Sequence, residues 1–342
     1  MVESQERSLF ATCRPIVAVE SGAETALREV MLALSKEGAL CHAIGSQKQG
    51  ALVPKGSWQE STGYTYANVL PRQFFSLVKT TVSEWKPSVI ITQLDGSEEV
   101  MEIGSRENVP VVLFLHDVNE ISRLSMTYAG KYKPALIVAN SQYVIDTLLA
   151  NYSGMILKMY PVRNLAPYIV RSQARKVGMV NPITWKGGTV FQALVRTMPD
   201  TEFIAVEGWH SPQTEGLFRT NFSNFTLLPH QNDMRLFYQE LALLVVPSQW
   251  HEAFGRVVVE AAASGIPAIV SDSGGLPEAL GDGGIVLPAH APIDAWRSAI
   301  MELLNSPEKY ADYSLAATKH ARWIEEESKR SFAALRDCIM SL

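Results

Sequence analysis

The amino-acid sequence predicts an α/β fold divided into two domains, and three observations lead to this prediction. The chain has 342 residues, which exceeds the length of one ordinary domain and suffices for two hydrophobic cores. Short apolar runs rich in β-branched residues alternate with longer stretches of helical period, as in parallel sheets joined by crossover helices. These segments fall into two series, separated by a stretch without clear periodicity.

The first series predicts the N-terminal domain. One helix is well marked, because apolar residues recur at helical spacing over residues 23–36 and Gly38 supplies a stop. Helices are expected between the strands as well. The predicted strands are residues 9–13, 39–45, 88–92, 111–116 and 135–139.

The second series predicts the C-terminal domain. Residues 160–167 contain two prolines and no clear period, so the link between the domains is expected there, with domains over residues 1–165 and 166–321. Residues 310–342 are charged on one side and apolar on the other, which is typical of a surface helix. The predicted strands of the second series are residues 176–180, 203–206, 225–228, 243–246, 268–271 and 285–287.

Composition excludes several classes of protein. The formal charge of −5 is small, and no block of like charges follows a nucleic-acid backbone or an anionic bilayer. The opening residues are acidic where a signal peptide is basic, and the apolar runs fall short of the roughly 18 residues that a spanning helix needs. Cys13, Cys41 and Cys338 form neither a metal knuckle nor a disulfide framework. We therefore expect a soluble, cytoplasmic protein.

Residues 245–278 contain the strongest chemical signal. They are predicted to form a strand, a loop, a helix, a second strand and a glycine-rich turn. Gly255 precedes the helix, whose free N–H groups and dipole favour an anion such as a diphosphate. Glu252 lies in the loop ahead of this helix and Glu260 about two turns downstream, so both carboxylates can point toward one end of a ligand cleft. Loops at strand ends are where open α/β sheets bind ligands.

At these residues the sequence resembles glycosyltransferase family 4, whose members are retaining enzymes with the GT-B fold. The signature is a pair of glutamates separated by seven residues around a Phe-Gly turn, then Ala-x-x-x-Gly-x-Pro and Gly-Gly-x-x-Glu, all in register here. The resemblance implies two facing Rossmann-like domains with a deep interdomain cleft, the C-terminal helix (about residues 322–342) packing back on the N-terminal domain. It also implies that Glu252 contacts the donor sugar, that Glu260 binds the ribose, and that the backbone of Phe254, Gly255 and Arg256 lies against sugar and phosphate.

Weaker matches lie upstream. Residues 177–182 with Lys186-Gly187-Gly188 resemble the first loop of the family's C-terminal domain, which implies a donor-binding role for Asn181 and a diphosphate contact for Lys186. The family often has Arg where this chain has Met179, so Arg256 or another basic residue would have to compensate. In the N-terminal half, resemblance implies that His116 faces the reacting centre and that Gly22 lets the first loop approach donor or acceptor.

Each of these residues also has a simpler interpretation. Two glutamates eight positions apart are commonly surface acids, Lys186 could be a solvated loop residue, and an isolated histidine such as His116 often only satisfies a backbone group. The joint occurrence of the glycine and proline positions at matching offsets favours a donor site. No two of the seven histidines stand at helical ligand spacing and no Asp-x-Asp triplet occurs, so we expect metal independence and no cofactor.

The sequence therefore predicts a retaining glycosyltransferase that moves a sugar from a nucleoside diphosphate sugar to an acceptor hydroxyl. The alternatives are a GT-B sugar-nucleotide epimerase, a reversible disaccharide synthase, or a non-catalytic nucleotide-sugar-binding protein. Base contacts are expected from residues 208–212 and 229–232. The acceptor, a soluble glycoside or the sugar end of a carrier, is expected to meet N-terminal loops that include residues 56–72. Aromatic side chains available there are Trp58, Tyr64, Tyr66 and the nearby Phe74.

Overall fold

A computed structural model describes residues 6–16, 22–47, 58–172, 176–208, 218 and 222–342. The chain divides into two compact units. The N-terminal unit comprises Met1–Pro161 together with Ser328–Leu342, and the C-terminal unit comprises Val162–Glu327. The break between Pro161 and Val162 falls inside the stretch that the sequence marks as aperiodic.

Within its described residues, the N-terminal unit is built on a sheet of eight strands in the order β3-β4-β2-β1-β5-β6-β7-β8. Neighbouring strands are parallel except β3, which runs antiparallel to β4. The strands are β1 Arg7–Thr12, β2 Leu40–Ser46, β3 Gln59–Ser61, β4 Tyr64–Val69, β5 Val89–Gln93, β6 Val111–Leu115, β7 Leu136–Ala139 and β8 Ile156–Lys158.

The chain builds this sheet outward in both directions from β1. It runs first to β2 and β4 on one side and later to β5, β6 and β7 on the other, so the order of the strands reverses between β1 and β5. In open α/β sheets such a reversal is where ligands bind, beyond the carboxyl ends of the strands. The helices of this unit are α1 Gly22–Lys36, α2 Pro71–Trp85, α3 Ser97–Glu107, α4 Glu120–Tyr132 and the short α5 Gln142–Val144.

The C-terminal unit has a second parallel sheet, of six strands within the described residues, in the order β11-β10-β9-β12-β13-β14. Here the reversal lies between β9 and β12. The strands are β9 Lys176–Val180, β10 Phe203–Val206, β11 Phe225–Leu228, β12 Leu241–Val246, β13 Ala268–Asp272 and β14 Gly284–Pro288. The helices are α6 Gly188–Thr197, α7 Arg235–Tyr238, α8 Arg256–Ala262, α9 Leu276–Leu280, α10 Ile293–Asn305 and α11 Pro307–Ser341.

Continuous apolar runs explain the central strands. All five residues of β5 and of β6 are buried, as expected of parallel strands covered on both faces. The long helix α11 contributes to both cores: Ala317 and Ala321 are buried in its first part, whereas Phe332 and Leu335 join the core of the N-terminal unit. None of the described helices is both long and apolar enough to span a membrane.

The interpretation of residues 56–72 as an aromatic acceptor loop needs correction. Residues 58–72 are described, and most of them form the strands β3 and β4. Tyr64 is 5% exposed and belongs to the core, and Phe74 on α2 is completely buried. Tyr64 and Phe74 are therefore packing residues, because the strand and the helix turn them inward. Residues 56 and 57 lie outside the described part of the chain.

Candidate functional site

Two predicted site residues, Lys186 and Glu252, form an ion pair at the carboxyl edge of the second sheet. Lys186 ends a short 3-10 turn after β9, and Glu252 lies in the loop after β12. Lys186 Nζ donates to Glu252 Oε1 at 2.9 Å, and Ser248 Oγ donates to the same oxygen at 3.2 Å. The two charged side chains are 24% and 15% exposed. The sequence predicted a ligand contact for each residue, and the structure brings the two together.

Backbone contacts hold the two loops in register. The amides of Gln249 and Trp250 both donate to the carbonyl of Trp185 at 3.0 Å. Gly187, which follows Lys186, has φ +86°, and a Cβ there would lie 2.0 Å from the carbonyl oxygen of Pro247. Only glycine permits this approach, so Gly187 lets the β9 loop lie directly against the β12 loop.

The glycine-rich turn after β13 supports Glu252 from the opposite side. Gly275 N donates to the Glu252 carbonyl at 2.7 Å, and Ser273 Oγ donates to the Trp250 carbonyl at 2.6 Å. Gly274 has φ +66°, and a Cβ there would lie 2.1 Å from the same Glu252 oxygen. The Gly-Gly dipeptide of the motif is thus explained by the packing of two backbones, which fixes the position of Glu252.

Glu260, the second motif glutamate, is a buried carboxylate held by two side chains. It is 6% exposed on α8, and Tyr238 Oη donates to its Oε2 at 2.8 Å. Arg256, one turn earlier on the same helix, donates from Nε to Oε1 at 3.3 Å. Burial and, after it, the Glu260 charge raise the pKa of Tyr238 well above its usual value, so this hydroxyl stays protonated and donates. Sequence reasoning missed Tyr238, because a tyrosine ahead of a strand carries no signal of its own.

The contacts of Arg256 bear on the substitution at Met179. The Arg256 side chain is 10% exposed, and besides Glu260 it donates from Nη2 to Tyr168 Oη at 3.4 Å. Arg256 thus lies beside Glu260, and its role as the compensating cation stays a prediction. Met179 is 1% exposed in the core of the C-terminal unit, and Phe254 is 2% exposed. Both side chains are packing residues, whereas Gly255 adopts φ +108° at the start of α8.

Asn181 directly follows β9, at the reversal of the second sheet. It is 4% exposed and has φ +53°, a conformation that Asn tolerates better than most residues. Neither its side-chain oxygen nor its nitrogen has a hydrogen-bond partner in the described part of the chain. A Cβ on Gly208 would lie 2.4 Å from Asn181 Cγ, so this glycine makes room for the amide. A buried amide without partners is costly and favours a polar ligand beside it.

The remaining two predicted residues belong to the N-terminal unit. His116 follows β6, is partly buried, and stacks on Phe114 with ring centroids 5.8 Å apart. Asn140 Nδ2 donates to the His116 carbonyl at 3.3 Å. Gly22 is exposed as the first residue of α1, and Ser21 before it lies outside the described residues.

Of the regions predicted to contact the base, residues 209–212 also lie outside the described part of the chain. Residues 229–232 follow β11, and Gln231 Nε2 donates to the Pro229 carbonyl at 2.8 Å. Within the described residues, no group of three or more His, Cys, Asp or Glu side chains is arranged to hold a metal ion.

Part of the chain is similar to known sequences. Residues 219–320 match the family model "Glycosyl transferases group 1". The D-inositol 3-phosphate glycosyltransferase of Mycobacteroides abscessus is 42% identical over 100 residues, which are 28% of this chain and 22% of that protein. The matches to this and other relatives of the same name span about a fifth to a third of each relative's length.

Solved structures resemble the whole chain at low sequence identity. Sucrose-phosphate synthase from Thermosynechococcus elongatus superposes with a TM-score of 0.79 at 15% identity, covering 99% of this chain and all of that one. Anabaena HepE in complex with UDP and glucose gives a TM-score of 0.77 at 16% identity, with coverage of 99% and 100%. The chain therefore has the GT-B fold, with two Rossmann-like units.

Proposed function

We propose that this protein is a retaining glycosyltransferase that transfers a sugar from a nucleoside diphosphate sugar to an acceptor hydroxyl. The observation that supports this most strongly is the pair of carboxylates: Glu252 is held at the carboxyl edge of the second sheet, and Glu260 is held on α8, the helix that follows the Glu252 loop. Both lie in the segment that matches the glycosyltransferase family model.

Lys186 supplies positive charge for the leaving diphosphate. Its ammonium group pairs with Glu252 at 2.9 Å. A diphosphate would compete for Lys186, and Glu252 would then be released to accept hydrogen bonds from sugar hydroxyls. A cation fixed where negative charge develops lowers the barrier to breaking the bond between sugar and phosphate.

Glu260 is suited to binding two neighbouring ribose hydroxyls. In the described part of the chain, Oε2 accepts a hydrogen bond from Tyr238 and Oε1 accepts one from Arg256. A carboxylate oxygen has two lone pairs, so each can accept a further hydrogen bond from the ligand. The buried Asn181 amide, at the end of β9, offers both a donor and an acceptor to the same ligand.

The transfer reaction requires no nucleophilic side chain from the protein. The bond between the anomeric carbon and the diphosphate oxygen breaks while the acceptor oxygen attacks on the same face, which keeps the anomeric configuration. The acceptor proton passes to an oxygen of the leaving diphosphate. In this scheme Lys186 stabilises the leaving group, Glu252 orients the sugar, and His116 faces the acceptor side of the reacting carbon. We propose that no metal ion is needed.

The similar proteins indicate which substrates to test first. HepE was crystallised with UDP and glucose, so UDP-glucose is the first donor to test. The matched sequence relatives are named for D-inositol 3-phosphate, which makes that compound a reference acceptor. Met179, the one residue that pointed to a non-catalytic protein, is a core residue here and leaves the carboxylates in place.

The transfer assay combines metal-free protein, radiolabelled UDP-glucose and a panel of acceptors, with NMR of the product to read the anomeric configuration. We expect an α-linked product, and Glu252→Gln should lower kcat/KM at least about 100-fold. Glu240→Gln is the matched control, because Glu240 pairs with Lys176 at 3.3 Å in the same unit but lies outside the site. A β-linked product, a free epimerised nucleotide sugar, or equal activity of both variants would contradict the proposal.

A further inference from the structure

Two buried polar side chains without partners end neighbouring strands in the N-terminal unit. Gln93 is the last residue of β5 and is fully buried, and Thr12 is the last residue of β1 and is 3% exposed. The two residues face each other in the parallel register of these strands. In the described part of the chain, neither amide atom of Gln93 nor the hydroxyl of Thr12 has a hydrogen-bond partner. Three buried polar atoms are thus left without partners at one place, which is rare in a folded protein.

These two side chains line a pocket beneath the start of α1. They lie on the face of the sheet that α1 covers, and apolar side chains such as Phe10 and Leu27 form the floor and wall. Glu24 also lines the pocket, from the first turn of α1. The pocket lies between β1 and β5, where the strand order of this sheet reverses. That is the position at which open α/β sheets bind ligands.

The pocket chemistry favours hydroxyl groups. The Gln93 amide offers both a donor and an acceptor, and the Thr12 hydroxyl offers the same from the adjacent strand. Neighbouring strands are about 4.8 Å apart, a spacing that vicinal hydroxyl groups of a polyol can bridge.

The charges at the pocket do not favour an anion. Arg14, next to the pocket, is already paired with Asp95 at 2.9 Å. Glu24 and Arg28 both line the pocket, so its lining carries one charge of each sign.

We propose that this pocket binds a neutral, vicinal-diol part of the acceptor, with Gln93 and Thr12 contacting two adjacent hydroxyl groups. The inference rests on the proposed function, because the donor contacts described above lie mainly in the C-terminal unit and leave the acceptor for this one. The bound hydroxyls carry no phosphate, so the phosphate of the substrate in the names of the sequence relatives would have to lie outside this pocket.

The first test is binding of two probes, myo-inositol and D-inositol 3-phosphate, to the full chain by saturation-transfer NMR without nucleotide. We expect myo-inositol to bind, and the phosphate, which keeps vicinal hydroxyl pairs of its own, to bind no more tightly. Gln93→Leu should abolish myo-inositol binding. Gln142→Leu, an exposed position on α5, is the matched control and should not.

A second readout separates a binding role from a structural one. If Gln93 waits for a ligand, replacing its unpaired amide with an apolar side chain should raise the melting temperature of the ligand-free protein, by about 2 °C or more. A lower melting temperature together with unchanged probe binding would overturn the proposal, as would tighter binding of the phosphate.

These results do not depend on the donor. A chain that binds nucleotide but neither diol nor phosphate probe would leave the proposed function standing and overturn only the acceptor pocket. A chain that binds myo-inositol but no nucleotide would overturn the proposed function and, with it, the identification of the bound polyol as the acceptor.

Discussion

At the scale of single residues, the proposed donor site depends on how the Glu260 carboxylate is held. This carboxylate is buried and accepts hydrogen bonds from Tyr238 and Arg256. Tyr238 lies 22 positions before Glu260 in the sequence. The spacing within the motif therefore predicts the glutamate but not the tyrosine that donates to it. Glu252, Glu260 and Lys186 are predicted as site residues from the motif, because the motif fixes their offsets along the chain. Tyr238 meets Glu260 only through tertiary packing.

Tyr238→Phe should raise the KM for the nucleotide sugar about tenfold and change kcat little. The reason is that a hydrogen bond to a charged group contributes roughly 1.5–3 kcal/mol, and its loss frees Glu260 to turn away from the ribose. Steady-state kinetics with varied donor concentration measure this.

Tyr310→Phe is the matched control for that variant. Tyr310 Oη donates to the Ala242 carbonyl at 3.0 Å in the same unit, and burial raises the Tyr310 pKa. Removing this hydroxyl should lower stability by about 1 kcal/mol and leave the KM unchanged. Equal effects of the two substitutions on KM would mean that Tyr238 is only a packing residue.

At the scale of secondary-structure elements, sequence patterns worked best for short apolar runs bounded by polar residues. Three strands of the second sheet, β9, β10 and β11, have the predicted bounds. The strands β3, β4 and β8 were missed. All three residues of β3 are exposed, so no buried face marks it in the sequence.

The turn after β13 gives a test at this scale. Gly274→Ala should weaken donor binding at least about tenfold, because a Cβ 2.1 Å from the Glu252 carbonyl would force the Glu252 loop away. Titration of the variant with the donor nucleotide measures the loss.

Gly38→Ala is the control for Gly274→Ala, because it strains the backbone without displacing a neighbouring loop. Gly38 has φ +101°, and a Cβ added there would meet no atom within 4 Å, so alanine at this position adds strain alone. It should lower the free energy of unfolding by about 1–2 kcal/mol and leave donor binding unchanged. If Gly274→Ala behaved in the same way, the glycine turn would not position Glu252.

At the scale of the whole molecule, the two-domain α/β fold followed from length and from alternating segments, and the structure confirms it. What the sequence could not reveal is where buried polar groups lack partners. Gln93 and Asn181 each stand at the end of a strand next to a reversal of strand order. That position is a property of sheet order, which no local pattern encodes.

Stability should depend on pH through His42. Its ring packs between Trp58 and Trp85, with centroids 4.6 and 3.9 Å away, and burial, then the Arg7 charge, lowers its pKa. The unfolded chain therefore takes up the proton first as pH falls below about 6.5, and the free energy of unfolding drops until the folded-state pKa is reached.

Urea unfolding between pH 7.5 and 5 measures this effect, with those limits spanning roughly one unit on either side of the ordinary histidine value. His42→Gln should flatten the profile by up to about 1.4 kcal/mol per pH unit, whereas His290→Gln, at an exposed position, should not. A profile for His42→Gln as steep as that of the wild type would show that His42 is not responsible.

The most direct test of the central claim is calorimetric titration of the metal-free protein with UDP, GDP, ADP and dTDP, repeated with Glu260→Gln, Lys186→Met and the control Glu240→Gln. We expect one nucleoside diphosphate to bind without added metal. Glu260→Gln and Lys186→Met should weaken this binding at least about tenfold, and the control should bind as the wild type does. Failure of all four nucleotides to bind, or equal binding by all variants, would contradict the assignment of the C-terminal unit as the donor site.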